Sequence, residues 1–222
     1  MRSQQYQFDG DEIRIWTACD IDPLLDNLMG KADSHPDVQD ERMPYWAELW
    51  PSSILLAETI RKQRDSLPKG PWLEIGCGPG LAGLMAAKCG RSGLCTDYMR
   101  EALWLAGLNA HQNGCDERMD FKPLDWRSPN LTRTFPWILA GDVAYETRNF
   151  QPLADCFGQL LAPGGQIWLS EPGRSIAVSF FTLLENAGWA RTKIVTQKGV
   201  SLYRIMRETH SPRRSTYKMR DR

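Results

Sequence analysis

From residue 72 onward, short uninterrupted apolar runs alternate with longer stretches in which apolar residues return every three or four positions. The runs at 72–75, 93–96, 119–122, 137–141 and 166–170 predict strands, and the stretches 81–89, 99–113, 150–161 and 175–187 predict helices. Gly90, Gly114 and Gly188 stand where helix C-caps belong, and Pro163-Gly-Gly stops the helix before it. Such alternation is the pattern of a parallel sheet with helices on both faces. After Gly188 the period changes, and 189–195 and 200–207 read as two strands of a hairpin joined by 196–199. Ahead of the alternating core, Tyr6 to Phe8 and Ile13 to Trp16 flank Asp9-Gly10-Asp11 and predict a small hairpin, followed by a polar loop as far as Glu41. Three segments result: an extension over 1–43, a core domain over 44–208, and a basic tail over 209–222 that is expected to fray.

The segment Trp72-Leu-Glu-Ile-Gly-Cys-Gly-Pro-Gly80 carries a strand straight into a glycine-rich bend, with a helix following. Gly76, Gly78 and Gly80 allow the main chain to turn sharply and to approach a ligand, while the free N–H groups of the helix face the same space. Asp97 closes the next predicted strand, where a carboxylate can accept from both hydroxyls of a ribose. The glycines fit two frames: Gly76-x-Gly78-x-Gly80 and the dinucleotide fingerprint Gly78-x-Gly80-x-x-Gly83. In the first, Glu74 sits at the strand end, where it can meet a cationic or amine-bearing part of a ligand. No Gly-Lys-Ser or Gly-Lys-Thr follows the bend, which argues against a nucleoside triphosphatase.

Pro44-Tyr-Trp-Ala-Glu-Leu-Trp-Pro-Ser-Ser53 gathers three large aromatic side chains just before a predicted helix over 54–61, with Ser52 or Ser53 available as its cap. Tyr45, Trp46 and Trp50 either seal the core edge or present a ring face to a cation. Leu124-Asp-Trp126 follows the third predicted strand, and Asp142-Val-Ala-Tyr145 follows the fourth, both in the crevice where open α/β sheets bind ligands. The loop Glu171-Pro-Gly-Arg174 follows the fifth strand and reads equally well as a plain turn.

Taken together in this order, the motifs resemble class I, seven-β-strand S-adenosylmethionine-dependent methyltransferases, and specifically methyltransferase family 16, which groups protein-lysine methyltransferases. The resemblance covers residues 44–207. It implies an α/β, Rossmann-like, doubly wound, seven-stranded, mostly parallel sheet with a C-terminal antiparallel hairpin. It also implies S-adenosyl-L-methionine as cofactor, held by Trp50, Glu74, Gly76, Cys77, Gly78, Gly80, Asp97, Tyr98, Asp125 and Trp126. Asp97 takes the ribose in that reading, Asp125 and Trp126 frame the adenine, and Asp142 and Tyr145 serve catalysis at the acceptor mouth. The implied reaction is methyl transfer to a lysine of a protein, with a small-molecule amine as the alternative acceptor. An NAD-dependent oxidoreductase and a non-catalytic cofactor-binding module remain as readings from other classes.

Bulk properties narrow the setting. A chain of 222 residues that is 42% hydrophobic and 24% charged suits one domain with a core that needs no disulfides. With 27 basic and 27 acidic residues there is no net field to favour nucleic acid. The N-terminus lacks a leader-like apolar run and no stretch is apolar enough for a membrane span, so the expected location is the cytoplasm and the default state a monomer. Six cysteines without a Cys-x-x-Cys pair read as reduced core thiols, and three dispersed histidines, His35, His111 and His210, suggest no metal.

Overall fold

A computed structural model describes residues 1–208 of the chain. The predicted strands form one seven-stranded sheet built from β3 (Trp72–Ile75), β4 (Gly93–Asp97), β5 (Met119–Pro123), β6 (Phe135–Gly141), β7 (Leu161–Glu171), β8 (Trp189–Gln197) and β9 (Val200–Arg207). Its spatial order is β5-β4-β3-β6-β7-β9-β8, with β3, β4, β5, β6 and β7 parallel and β9 antiparallel to both neighbours. The sheet is therefore the one expected, including the terminal hairpin. A two-halved dinucleotide-binding sheet would carry a second βαβ unit where β9 and β8 lie.

Helices cover both faces because the central strands are apolar on both sides; every residue of β3 and β4 is buried. One face packs against α3 (Pro51–Lys62), α4 (Leu81–Lys88) and α5 (Arg100–Gln112), and the other against α6 (Phe150–Leu160) and α7 (Ala177–Asn186). At α4 the helix comes unusually close to the sheet. A Cβ on Gly83 would lie 2.7 Å from the ring of Trp72, and one on Gly93 would lie 2.1 Å from it. The indole of Trp72 fills the room that these two glycines leave.

The N-terminal hairpin consists of β1 (Arg2–Phe8) and β2 (Asp11–Thr17), turned at Asp9-Gly10 with both residues left-handed. Two carboxamides on α5 hold it to the core. Asn109 accepts from the Trp16 N–H at 2.7 Å and donates to the Trp16 carbonyl at 3.2 Å, and Asn113 does the same for Arg14 at 3.0 and 2.7 Å. One helical turn on α5 matches the spacing of alternate residues on β2, so the side chains substitute for a third strand.

Two expectations need correction. The polar loop before Glu41 contains two helices, α1 (Asp22–Met29) and α2 (Pro36–Gln39), each with a proline in its first turn and neither with a buried residue. The serine cap proposed for α3 is also absent. The helix starts at Pro51 with Trp50 at its N-cap, which draws Ser52 into the first turn; its backbone carbonyl accepts the Ser170 hydroxyl at 2.9 Å. The tail over 209–222 lies outside the described residues.

Candidate active site

The bend after β3 has the backbone its composition demands. Gly76, Gly78 and Gly80 have φ of 65°, 49° and 80°, a region that side chains with a Cβ rarely occupy. Asp97, at the end of the neighbouring β4, accepts the Gly78 N–H at 3.0 Å through one carboxylate oxygen and the Met99 N–H at 3.0 Å through the other. Burial pushes the acid up to about 6, against the pull of those backbone N–H groups.

A crevice of about 390 Å³ opens above the carboxyl ends of β3, β4 and β6. That volume is in the range of small-molecule and cofactor sites. Of the twelve candidates from the sequence, ten line it: Trp50, Gly76, Cys77, Gly78, Asp97, Tyr98, Asp125, Trp126, Asp142 and Tyr145. The structure thus brings together residues drawn from five separate segments. The floor is glycine and Asp97, one flank holds Trp126, and the mouth is aromatic. Tyr45 meets Trp50 edge-on with ring centroids 6.0 Å apart and meets Tyr145 at 5.9 Å, and the Trp50 indole donates to the Tyr45 carbonyl at 2.9 Å.

Glu74 and Gly80 do not line the crevice. The Glu74 carboxylate points under α4, where it accepts the Gly83 N–H at 2.9 Å and the Cys95 thiol at 3.5 Å. It is 2% exposed, and burial pushes it up to about 7. The strand alternates sides at every residue, and position 74 faces the helix rather than the opening. Gly80 is required by packing, since a Cβ there would sit 2.9 Å from that of Ala106.

Two acidic candidates prove to be paired. Arg174 grips Asp142 through two bonds of 3.1 and 2.9 Å, and Glu171 fixes that loop by accepting the Gly173 and Arg174 N–H groups at 2.8 and 3.0 Å. The loop Glu171-Pro-Gly-Arg174, which from its sequence could face the ligand or be a plain turn, delivers a guanidinium to the crevice. The φ of 57° at Asp142 and its bidentate partner hold the carboxylate in a fixed pose beside a guanidinium. Asp125, expected to receive an adenine amino group, accepts from Arg127 at 2.7 Å. Both oxygens of Asp40 also meet Arg127, at 3.0 Å each. These Arg127 bonds, and those of Arg42, take Asp40 down to about 2 despite some burial.

The Asp40 pairing reveals a wall the sequence did not suggest. Residues 36–43 cross over the crevice and are tied down on both sides. Arg127 holds Asp40 from the loop after β5, and Arg148 holds Glu41 at 3.2 Å and the Asp40 carbonyl at 3.0 Å from the loop after β6. Arg42 lies over the Tyr98 ring at 4.9 Å. The charge density of 37–42 was the available signal, but its partners are up to 108 positions away.

The crevice suits a nucleoside bearing a sulfonium. Its floor offers a carboxylate to hydroxyl donors, the Trp126 ring provides a flat apolar surface, and the wall carries seven carboxylates against three guanidinium groups. Gly76 supplies the close approach, because a Cβ there would lie 3.1 Å from Val143 and 3.6 Å from the Trp126 ring.

Proteins similar in sequence to this chain are methyltransferases. The electron transfer flavoprotein beta subunit lysine methyltransferase of Xenopus laevis is 30% identical over 138 residues, 60% of this chain and 54% of that protein. The histone-arginine methyltransferase METTL23 of Rattus norvegicus is 37% identical over 163 residues, 67% of this chain and 72% of that protein. The chain thus spans about half the length of the first of these relatives. Among solved structures, a glycopeptide N-methyltransferase complexed with sinefungin superposes with a TM-score of 0.60 at 12% identity, covering 71% of this chain and 94% of that one. At that identity the likeness concerns the fold. A profile of the lysine methyltransferase family matches residues 38–187, from the strap over the crevice to the end of α7. The chain belongs to that family.

Proposed function

We propose that the chain transfers a methyl group from S-adenosyl-L-methionine to a nitrogen of a protein, with the side-chain amine of lysine as acceptor. One observation carries the reading: the left-handed glycine bend, the Asp97 carboxylate and the aromatic mouth open into one crevice. The family and the first relative's printed substrate support lysine in a protein as the acceptor. Bound there, the cofactor supplies an electrophilic methyl group on a sulfonium sulfur.

The residues of the chain perform the remaining tasks. Asp97 would receive the ribose hydroxyls, and Trp126 would pack along the base. Tyr45, Trp50 and Tyr145 exclude water around the acceptor. A lysine ammonium has no lone pair, so it releases its proton before attack; desolvation between the rings lowers its pKa and assists that loss. With that proton gone to solvent, the chain's residues would hold the amine nitrogen toward the methyl group that the cofactor would supply. Asp142 and Tyr145 align the amine, with Arg174 fixing the Asp142 carboxylate. Alignment of this kind contributes several kcal/mol toward the barrier. A reducing compartment such as the cytoplasm suits six free cysteines. The working unit in this reading is a single chain.

Melting curves with adenosylmethionine, adenosylhomocysteine, NAD and NADP test the cofactor, because a ligand held by the folded state raises its stability. Only the first two are expected to do so. Asp97→Ala is expected to abolish that shift, whereas Asp142→Ala keeps it and removes transfer; equal cofactor affinity in wild type and Asp97→Ala would refute the assignment of the floor. Labelled cofactor incubated with a cell lysate decides the acceptor. Label in a protein band, mapped to lysine by mass spectrometry, supports the reading. Label on arginine moves the acceptor to a guanidinium, and label in small molecules alone overturns a protein substrate.

A further inference from the structure

The crevice wall holds seven carboxylates, and six of them are already engaged. Asp40 and Asp125 share Arg127, Glu41 pairs with Arg148, and Asp142 with Arg174. Glu146 binds Arg148 at 2.8 Å and Asn149 at 2.9 Å, and Asp97 accepts backbone N–H groups. Glu48 is the exception: it lines the crevice, is half-buried, and among the described residues its side chain has neither a hydrogen-bond donor nor a cation.

Its position is fixed by the chain around it. A short helical turn, Tyr45–Ala47, ends at Glu48, whose N–H donates to the Tyr45 carbonyl at 3.4 Å. Glu48 is itself extended, with φ of −114° and ψ of 159°, and Trp50 follows two residues later as the N-cap of α3. The carboxylate thus belongs to the same short segment as two of the three rings of the aromatic mouth. Among the described residues this carboxylate has no partner, so an incoming cation would give it a charge-assisted hydrogen bond.

We infer that Glu48 receives the positively charged end of the acceptor and is the residue that selects a cationic side chain for this crevice. The inference rests on the transfer reading above and makes it more specific. Glu48 is the point of arrival for the charge, and the rings beyond it take the amine once the proton has gone to solvent. Asp142, clamped by Arg174, aligns rather than attracts.

The test uses the whole chain saturated with adenosylhomocysteine, titrated with N-acetyl-lysine methylamide and with its uncharged counterpart N-acetyl-norleucine methylamide. In wild type the lysine probe binds more tightly than the norleucine probe. Glu48→Gln is expected to weaken the lysine probe about tenfold, which is one carboxylate's charge-assisted bond, and to leave the norleucine probe unchanged. Glu48→Asp is expected to restore part of the difference. Affinity for adenosylhomocysteine, a neutral thioether, stays the same in all three proteins. Equal effects on both probes, no effect on either, or no preference for lysine in wild type at millimolar concentration would each overturn the inference. So would loss of adenosylhomocysteine binding in Glu48→Gln, which would move the residue to the cofactor half of the crevice. If wild type itself fails to bind adenosylhomocysteine, the transfer reading falls, a result separate from the others.

Discussion

Glu74 shows how one buried acid can link stability to pH. Its carboxyl group sits beneath α4, accepts the Gly83 N–H, and is raised by burial from 4.5 to about 7. The folded state therefore holds that proton where the unfolded chain has lost it. The resulting stability is complete below about pH 4.5 and disappears as pH rises through 7. Asp97 behaves the same way over a lower window, from 3.8 to about 6. The melting temperature of the ligand-free protein should fall between pH 4.5 and 7.5, and Glu74→Gln, which cannot ionise, should flatten the upper part of that fall by up to about 3 kcal/mol. Thermal melts across this range check it, and parallel curves for the two proteins would show that Glu74 ionises freely in the fold.

At the scale of elements, the segment over 36–43 depends on ions for its position, since α2 contributes no buried residue. Arg127 joins it to the loop after β5 and keeps Asp40 and Asp125 from facing one another uncompensated. Arg127→Ala is expected to change overall stability little, by about 1 kcal/mol or less, because the groups are partly exposed and salt screens them. Local order should change more. Cleavage between residues 30 and 43 in limited proteolysis should accelerate, and adenosylhomocysteine should dissociate several-fold faster from the variant. Unchanged cleavage and unchanged dissociation would mean that apolar contacts hold the strap. The same element explains two omissions from the sequence reading. Short helices begun by proline carry no long apolar period, and a charged run does not disclose partners that lie 87 and 108 positions away.

Across the whole molecule, the N-terminal hairpin, α5 and the glycine bend form one mechanical unit. Asn109 binds both polar groups of Trp16 and also donates to the Pro79 carbonyl, inside the bend, at 2.9 Å. The extension over 1–43 is therefore coupled to the crevice floor. Asn109→Ala leaves these groups without partners and is expected to cost about 1–3 kcal/mol, with a melting temperature lower by a few degrees per kcal/mol. Amide exchange at Trp16 should quicken more than exchange in β6, which is central to the sheet. Equal protection in variant and wild type would show that the apolar contacts of Ile13 and Ile15, both wholly buried, hold the hairpin alone.

Features with local causes are legible along the chain. Strand and helix periods, the turns that use left-handed residues, and the glycine bend depend on backbone sterics and on which side chains must be buried within a few positions. For that reason the five parallel strands, the terminal hairpin and the location of the crevice at the ends of β3, β4 and β6 were all legible. The partners of the carboxylates in that crevice, by contrast, are set by long-range packing. Asp142 and Arg174 are 32 positions apart, and Arg127 and Asp40 are 87 apart. An acid's availability depends on which cation the fold brings within about 3 Å, and no local pattern encodes that. In the same way, the side of β3 from which Glu74 emerges, away from the ligand space, became evident only once α4 was packed against it.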